Sequence, residues 1–90
     1  MAKISVIVPA YNAETTLRTA VESILSQQVP ELEIVIVNDG STDGTDRLCH
    51  TLASECPCIH VITQKNAGIC AARNRGMEAA SGEYITFCDD

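Results

Sequence analysis

The sequence predicts an α/β fold, an open and mostly parallel sheet with helices on both faces. Three observations predict it. Four short runs rich in β-branched residues alternate with three longer helical segments, in the order β-α-β-α-β-α-β. Strands that alternate with helices pair in parallel through right-handed crossovers. Residues Ile34 to Val37 show no polar alternation, the pattern of a strand buried on both faces of a parallel sheet. That run stops at an acid, Asp39, followed at once by Gly40-Ser41-Thr42-Asp43-Gly44-Thr45. A carboxylate therefore stands at the carboxyl end of a strand, the edge at which open α/β sheets bind ligands.

Ile4 to Val8 reads as the first buried strand, ended by Pro9, which cannot donate to a ladder. Asn12 is placed to cap a helix from Ala13 to Gln28, with Glu14 in its first turn, where an acid suits the helix dipole. Leu17, Ala20, Val21, Ile24 and Leu25 form its apolar stripe, and Pro30 lies beyond its end. Glu33 to Val37 is the second strand. Ser41, Thr42 or Asp43 caps the second helix, which shows Leu48, Cys49, Leu52, Ala53 and Cys56 on one face and is terminated by Pro57. Cys58 to Thr63 is the third strand, and Gln64 to Gly68 a polar loop in which Lys65 is a surface residue. The third helix runs from Ile69 to Ala80, with Gly82 as its C′ residue and Gly76 marking close packing against a neighbour. Glu83 to Cys88 is the fourth strand, and Asp89-Asp90 follow it.

Ninety residues make one small domain or part of a larger one. A formal charge of −6 argues against a nucleic-acid partner. Tyr11, Tyr84 and Phe87 are too few aromatics for a single-strand stacking platform. Met1-Ala2-Lys3 leads directly into the first strand, and no segment approaches the roughly 18 apolar residues of a membrane span, so a soluble, cytoplasmic protein without a leader is expected, or one held at the cytoplasmic face of the membrane through parts outside these 90 residues. Five cysteines, an odd number, argue against a disulfide framework. Cys56-Pro57-Cys58, with Cys49, His50 and His60 nearby, matches no common zinc spacing. Cys49 and Cys56 are expected on a helix face, and Cys70 and Cys88 as small buried hydrophobes.

The turn after the first strand, Pro9-Ala10-Tyr11-Asn12-Ala13-Glu14, contains no glycine, which excludes the glycine-rich dinucleotide turn, and a Walker loop is also absent. The absence of a basic, glycine-rich loop there likewise counts against a nucleotidyltransferase. What remains is an acid at the end of the second strand, able to accept from ribose hydroxyls or a base N–H, and two acids at the end of the fourth. Side-by-side carboxylates suit a hard divalent cation, Mg²⁺ or Mn²⁺, that also holds phosphates.

Five stretches taken together resemble family 2 glycosyltransferases of the GT-A fold. They are Val6-Ile7-Val8-Pro9-Ala10-Tyr11-Asn12, Val35 through Thr45, Asn66-Ala67-Gly68, Ala72-Arg73-Asn74-Arg75-Gly76, and Gly82-Glu83-Tyr84-Ile85-Thr86-Phe87 with Asp89-Asp90. The similarity covers essentially the whole chain, in the family's order and spacing. It implies transfer of a sugar from a nucleotide-sugar donor, usually a UDP-sugar, with inversion at the anomeric carbon. It implies that Pro9, Ala10 and Tyr11 line the nucleotide, that Asp39 meets the uracil or ribose, and that Arg73 lies near the base or phosphates. Glu14 is a further candidate ligand residue.

The resemblance aligns Asp89 with the first acid of the D-x-D metal motif and Asp90 with its middle position. The chain is thus expected to be the donor-nucleotide half of a GT-A domain, with strand order 3-2-1-4, the first two helices on one face and the third on the other. The catalytic base and the acceptor site, for an unidentified glycan, lipid or polysaccharide precursor, are expected in the family's second half. The chain alone is expected to be inactive and to self-associate, with the edge at the fourth strand as one contact surface. The alternatives are a nucleotide-binding module without turnover and a purely structural domain. In the latter Asp39 only caps a turn; on either reading Asn74 is taken as a packing or hydrogen-bonding residue, and Ser41, Thr42 and Asp43 shape their loop and cap the helix.

Overall fold

In the computed structural model, which describes residues 4–88, seven elements follow in the expected order. They are β1 (Ile4–Ala10), α1 (Leu17–Ser26), β2 (Leu32–Asp39), α2 (Thr45–Glu55), β3 (Ile59–Gln64), α3 (Ile69–Ala79) and β4 (Tyr84–Phe87). The strands form one sheet in the order β3-β2-β1-β4, and each adjacent pair is parallel. The chain starts in the middle, winds outward to β3, and returns through α3 to lay β4 on the other side of β1. The direction of winding reverses between β1 and β4, which is the switch point.

Register and pleat divide the core. Val6, Val8, Ile34 and Ile36 face one side and pack with Leu17 and Val21 of α1 and Cys49 and Leu52 of α2. Ile7, Val35 and Val37 face the other side and meet Ala72 of α3. Two helices therefore cover one face and one helix the other. The β2 residues Ile34, Val35, Ile36 and Val37 are all buried, each removing an apolar side chain worth about 1.5–3 kcal/mol from water. This is why the run carries no polar alternation.

A polar cluster closes the amino end of the sheet. Glu33 is buried and accepts from the Ser5 hydroxyl at 2.7 Å, the Ser81 N–H at 2.9 Å and the Ser81 hydroxyl at 3.1 Å. The Gly82 N–H donates to Ser5 Oγ at 2.9 Å. A Cβ on Gly82 would lie 2.8 Å from the Ser5 backbone nitrogen, so this glycine is set by close approach. It is not a helix C′ residue: α3 ends at Ala79, and Ala80 at its end is already extended.

Other boundaries also differ from the sequence reading. β1 does not stop at Pro9 but runs through Ala10, with Pro9 opposite Val37. Ile7 O accepts from the Cys88 N–H on the β4 side, so the nitrogen of Pro9, two residues on, faces that same side. Among the described residues the β4 pairing ends at Phe87 opposite Ile7, and none of them requires a ladder donor at Pro9. α1 begins at Leu17 and not at Ala13, because Asn12 has a left-handed backbone (φ 49°) and its side chain is committed elsewhere. α1 ends at Ser26, and Gln28 turns left-handed (φ 53°) ahead of Pro30. A further correction concerns Cys70, which is exposed, whereas Cys49 is buried and Cys88 half-buried.

Gly76 faces the sheet from α3. A Cβ there would lie 2.4 Å from Ile7 Cγ2 and 3.3 Å from Val37 Cγ2, both on fully packed side chains. Gly76→Ala is therefore expected to destabilise the chain by about 1–3 kcal/mol through overpacking, despite alanine's higher helix propensity. Urea unfolding followed by circular dichroism checks this, and an unchanged or raised midpoint would rule out close α3–sheet contact.

Candidate functional site

The carboxyl ends of β1 and β2 open onto three loops. Pro9 and Ala10 of β1, the following Tyr11, and Asp39 of β2 line one side of a cleft of about 270 Å³. Asn66 and Gly68 of the β3–α3 loop and Ile69 and Ala72 of α3 line the other. Four of the residues expected to hold a nucleotide thus meet in one place. In the sequence Asn66 stands out only as part of a loop motif, and Ile69 and Ala72 carry no polar signal that a reading for chemistry selects.

Asp39 is 4% exposed, and every hydrogen bond to its carboxylate bridges β2 to the β3–α3 segment. Oδ1 accepts from Gln64 Nε2 at 2.8 Å and from the Ala67 N–H at 2.9 Å. Oδ2 accepts from the Gly68 N–H at 3.0 Å and, at a longer 3.4 Å, from Asn66 Nδ2. The Asn66 amide also donates to the Asp39 carbonyl at 3.0 Å. Burial pushes the Asp39 carboxyl up. The bonds from Gln64, Ala67 and Gly68 favour the charged form more strongly, so its pKa lies below the ordinary value of 3.8. Gly40, next in sequence, has φ 69°, and a Cβ on it would meet the Asn66 backbone nitrogen at 2.5 Å. The two loops touch here as backbone against backbone.

A second set of bonds joins the β1–α1 turn to the β2–α2 loop. The Asn12 N–H donates to Ser41 Oγ at 3.0 Å, and Asn12 Oδ1 accepts from the Thr42 N–H at 2.8 Å. The Ala13 N–H donates to Thr45 Oγ1 at 2.8 Å, and the Thr45 hydroxyl and N–H both donate to Asp43 Oδ1. None of the three candidate caps occupies the N-cap of α2, which is Gly44; Asp43, one residue before it, takes the Thr45 N–H. The Thr45 hydroxyl, ahead of an opposing effect of burial, holds the Asp43 carboxyl below its usual value.

The remaining candidates lie elsewhere. Glu14 borders a shallow depression with Asp43, Gly44, Asp46 and Arg47, apart from the Asp39 cleft. Arg73 follows Ala72 on α3, and its guanidinium carbon stands 5.7 Å from the centre of the Phe87 ring. Asp89 and Asp90 lie outside the described residues. Cys56 and Cys58 bring their sulfurs to 3.0 Å, and burial, reinforced by Cys56, pushes the Cys58 thiol up to about 11. It is therefore a protonated thiol at neutral pH. Among the described residues no three His, Cys, Asp or Glu side chains gather as metal ligands. A larger cavity, about 730 Å³, lies between α1, β1 and β4, but no charged side chain among the described residues lines it.

Residues 5–90 match the model of the family described as glycosyl transferase family 2. The chain belongs to that family. It is 46% identical over 87 residues to the uncharacterized glycosyltransferase YibD of Escherichia coli K12, a match covering 97% of this chain and 25% of that protein. Among solved structures, residues 1–349 of S. aureus TarS in complex with UDP superpose with a TM-score of 0.87 at 34% identity, over 97% of this chain and 27% of that one. The mannosyltransferase PcManGT from Pyrobaculum calidifontis, in complex with GDP-Man and Mn²⁺, gives 0.89 at 29% identity, again over 97% and 27%. The chain therefore spans about a quarter of the length of these relatives. The parallel 3-2-1-4 sheet with its helices is the arrangement of family 2 GT-A structures, as the motifs imply.

Asp39 and Glu33 both set the acid limit of this glycosyltransferase fold. The Glu33 carboxyl is pushed up by burial, but the Ser81 and Ser5 bonds bring it below its ordinary 4.5. A lowered folded pKa gives stability that is complete above the unfolded value and lost as pH falls through the folded one. Stability should hold down to about pH 4–5 and then fall. Asp39→Asn, which turns an amide N–H₂ toward donors, is expected to lose about 1–3 kcal/mol at pH 7 and to show a shallower acid decline. Urea midpoints at pH 7 and pH 3 for both proteins check this; equal declines would show that Asp39 is not held ionised.

Proposed function

We propose that this chain supplies the donor-nucleotide half of an inverting glycosyltransferase, one that moves a sugar from a UDP-sugar to a glycan, lipid or polysaccharide-precursor acceptor. The observation that carries the reading is the cleft at the carboxyl ends of β1 and β2, where an ionised carboxylate and a half-exposed tyrosine border the same space. The long contact of Asn66 on Asp39 Oδ2 is the one that a base N–H or a ribose hydroxyl would replace. Tyr11 offers a ring face to the nucleoside, and Arg73, outside the cleft lining and beside Phe87, is the cation we assign to the phosphates. The UDP complex of TarS, matched over nearly all of this chain, supports UDP as the nucleotide.

Mg²⁺ or Mn²⁺ completes the proposal. β4 runs parallel to β1 and leads to Cys88 beside Ile7, toward the sheet edge that carries the cleft. Asp89 and Asp90, next in sequence, are hard oxygen donors of the kind these cations take, and we assign them to hold the ion. Held there, a divalent cation would supply charge neutralisation for a departing diphosphate. We assign the general base and the acceptor site to the length of the relatives that this chain does not span. Five thiols without a disulfide suit a reducing compartment, and we place the protein in the cytoplasm.

Calorimetric titration of the 90-residue chain with UDP, with and without Mn²⁺, tests the reading. UDP should bind, and Tyr11→Ala should weaken it by about 1–3 kcal/mol. The melting temperature should change little, since the ring is 53% exposed. A folded chain that takes up no UDP at millimolar concentration would sink the assignment. The chain is also expected to self-associate at the β4 edge, where Tyr84, Ile85 and Phe87 are exposed beside an open ladder. Sedimentation velocity at rising concentration checks this, and a monomer throughout would refute it.

A further inference from the structure

Resting on the nucleotide reading and going one step past it, we propose that Asn12 is a positioning residue for the nucleoside end of the cleft, fixing Tyr11 by locking the β1–α1 turn onto the β2–α2 loop. Tyr11 is too exposed for core packing to direct its ring, so its backbone sets where the ring points. Asn12, the next residue, controls that backbone in two ways. Its φ of 49° turns the chain immediately after Tyr11, a conformation that asparagine tolerates better than most residues. Its polar groups then hold the turn: the N–H on Ser41 Oγ, and Oδ1 on the Thr42 N–H at 2.8 Å and the Thr42 hydroxyl at 3.3 Å.

Both partners belong to the loop that begins at Asp39. The ring and the carboxylate that border the cleft are therefore referenced to the same few residues. Asn12 is not serving as a helix cap, because α1 starts only at Leu17. It is exposed and adds nothing to the core. An exposed asparagine in a left-handed turn with three bonds to a neighbouring loop is explained by what the turn presents.

The test uses the full 90-residue chain carrying Tyr84→Phe. The chain has no tryptophan, so Tyr11 is then its sole strong emitter. Asn12→Gly keeps the left-handed backbone accessible and deletes the side-chain acceptor. Ser41→Ala deletes the acceptor of the Asn12 N–H. Asn12→Asp keeps both features. UDP affinity is read from the change in Tyr11 emission at a temperature where every variant is fully folded. Asn12→Gly and Ser41→Ala should each bind UDP roughly five- to tenfold more weakly, the equivalent of one lost hydrogen bond. Asn12→Asp should match its parent when scored with uridine, whose neutrality keeps the added charge from acting on a diphosphate. UDP binding by the parent that Asn12→Gly shares undiminished overturns the proposal alone, as does failure of Asn12→Asp to restore uridine binding. No UDP binding by the folded parent overturns the donor-site reading and this proposal with it.

Discussion

The structure around the cleft depends on one buried carboxylate. Asp39 ends the most deeply buried strand, and the N–H groups of Ala67 and Gly68 point at it from the start of α3. Removing a carboxylate from water is unfavourable unless its oxygens find donors, so its burial requires the β3–α3 segment to stay where it is. In return, the first backbone N–H groups ahead of α3, which no intrahelical carbonyl can satisfy, receive an anionic acceptor. Gly68 occupies the N-cap position and has no side chain to do this itself. The cap of α3 is thus supplied from the end of β2, 29 residues earlier in the chain.

The same loop holds the opposite wall. Residues 38–45 leave Asp39, turn at Gly40, and anchor the β1–α1 turn through Ser41, Thr42 and Thr45. Thr45 is fully buried, and its hydroxyl accepts from Ala13 while donating to Asp43. A buried hydroxyl used in both directions polarises its two bonds together. The β2–α2 loop therefore lies between the other two loops and fastens each by hydrogen bonds across long sequence separations. A cleft made in this way is preorganised, which limits the ordering that a bound ligand would otherwise have to drive.

Much of this architecture is legible in the amino-acid sequence. The uninterrupted Ile34–Val37 run identifies a doubly buried strand, and the strand–helix alternation identifies a parallel sheet. The position of Asp39 at a strand end places it at the ligand edge. The role of its oxygens is not legible, because Gln64, Asn66, Ala67 and Gly68 are separated from it by a whole helix and strand. The start of α1 escapes a local reading for a related reason. Asn12 is a strong N-cap by type, but its side chain bonds to Thr42, 30 positions away, and only the fold brings those together. Gly82 misleads in the same way: local rules offer a helix-ending glycine, whereas the cause is the nearness of Ser5, 77 positions away.

The uneven covering of the two sheet faces connects packing to the cleft. α1 and α2 bury large side chains such as Leu17, Val21 and Leu52, so their distance from the sheet is set by bulky residues. α3 buries only Ala72 and Gly76, and the sheet residues Ile7 and Val37 reach its backbone surface. Small residues let a helix approach closely, and here the close approach has a direction. Ala72 lies one turn after Gly68, so it fixes the height of the helix start above the sheet, and that start carries the N–H groups Asp39 requires. A helix with leucine at these two positions would bury more apolar area yet stand further from β2, drawing Ala67 and Gly68 out of hydrogen-bonding range. The thin packing under α3 is the arrangement that keeps the Asp39 carboxylate satisfied and the cleft closed on that side.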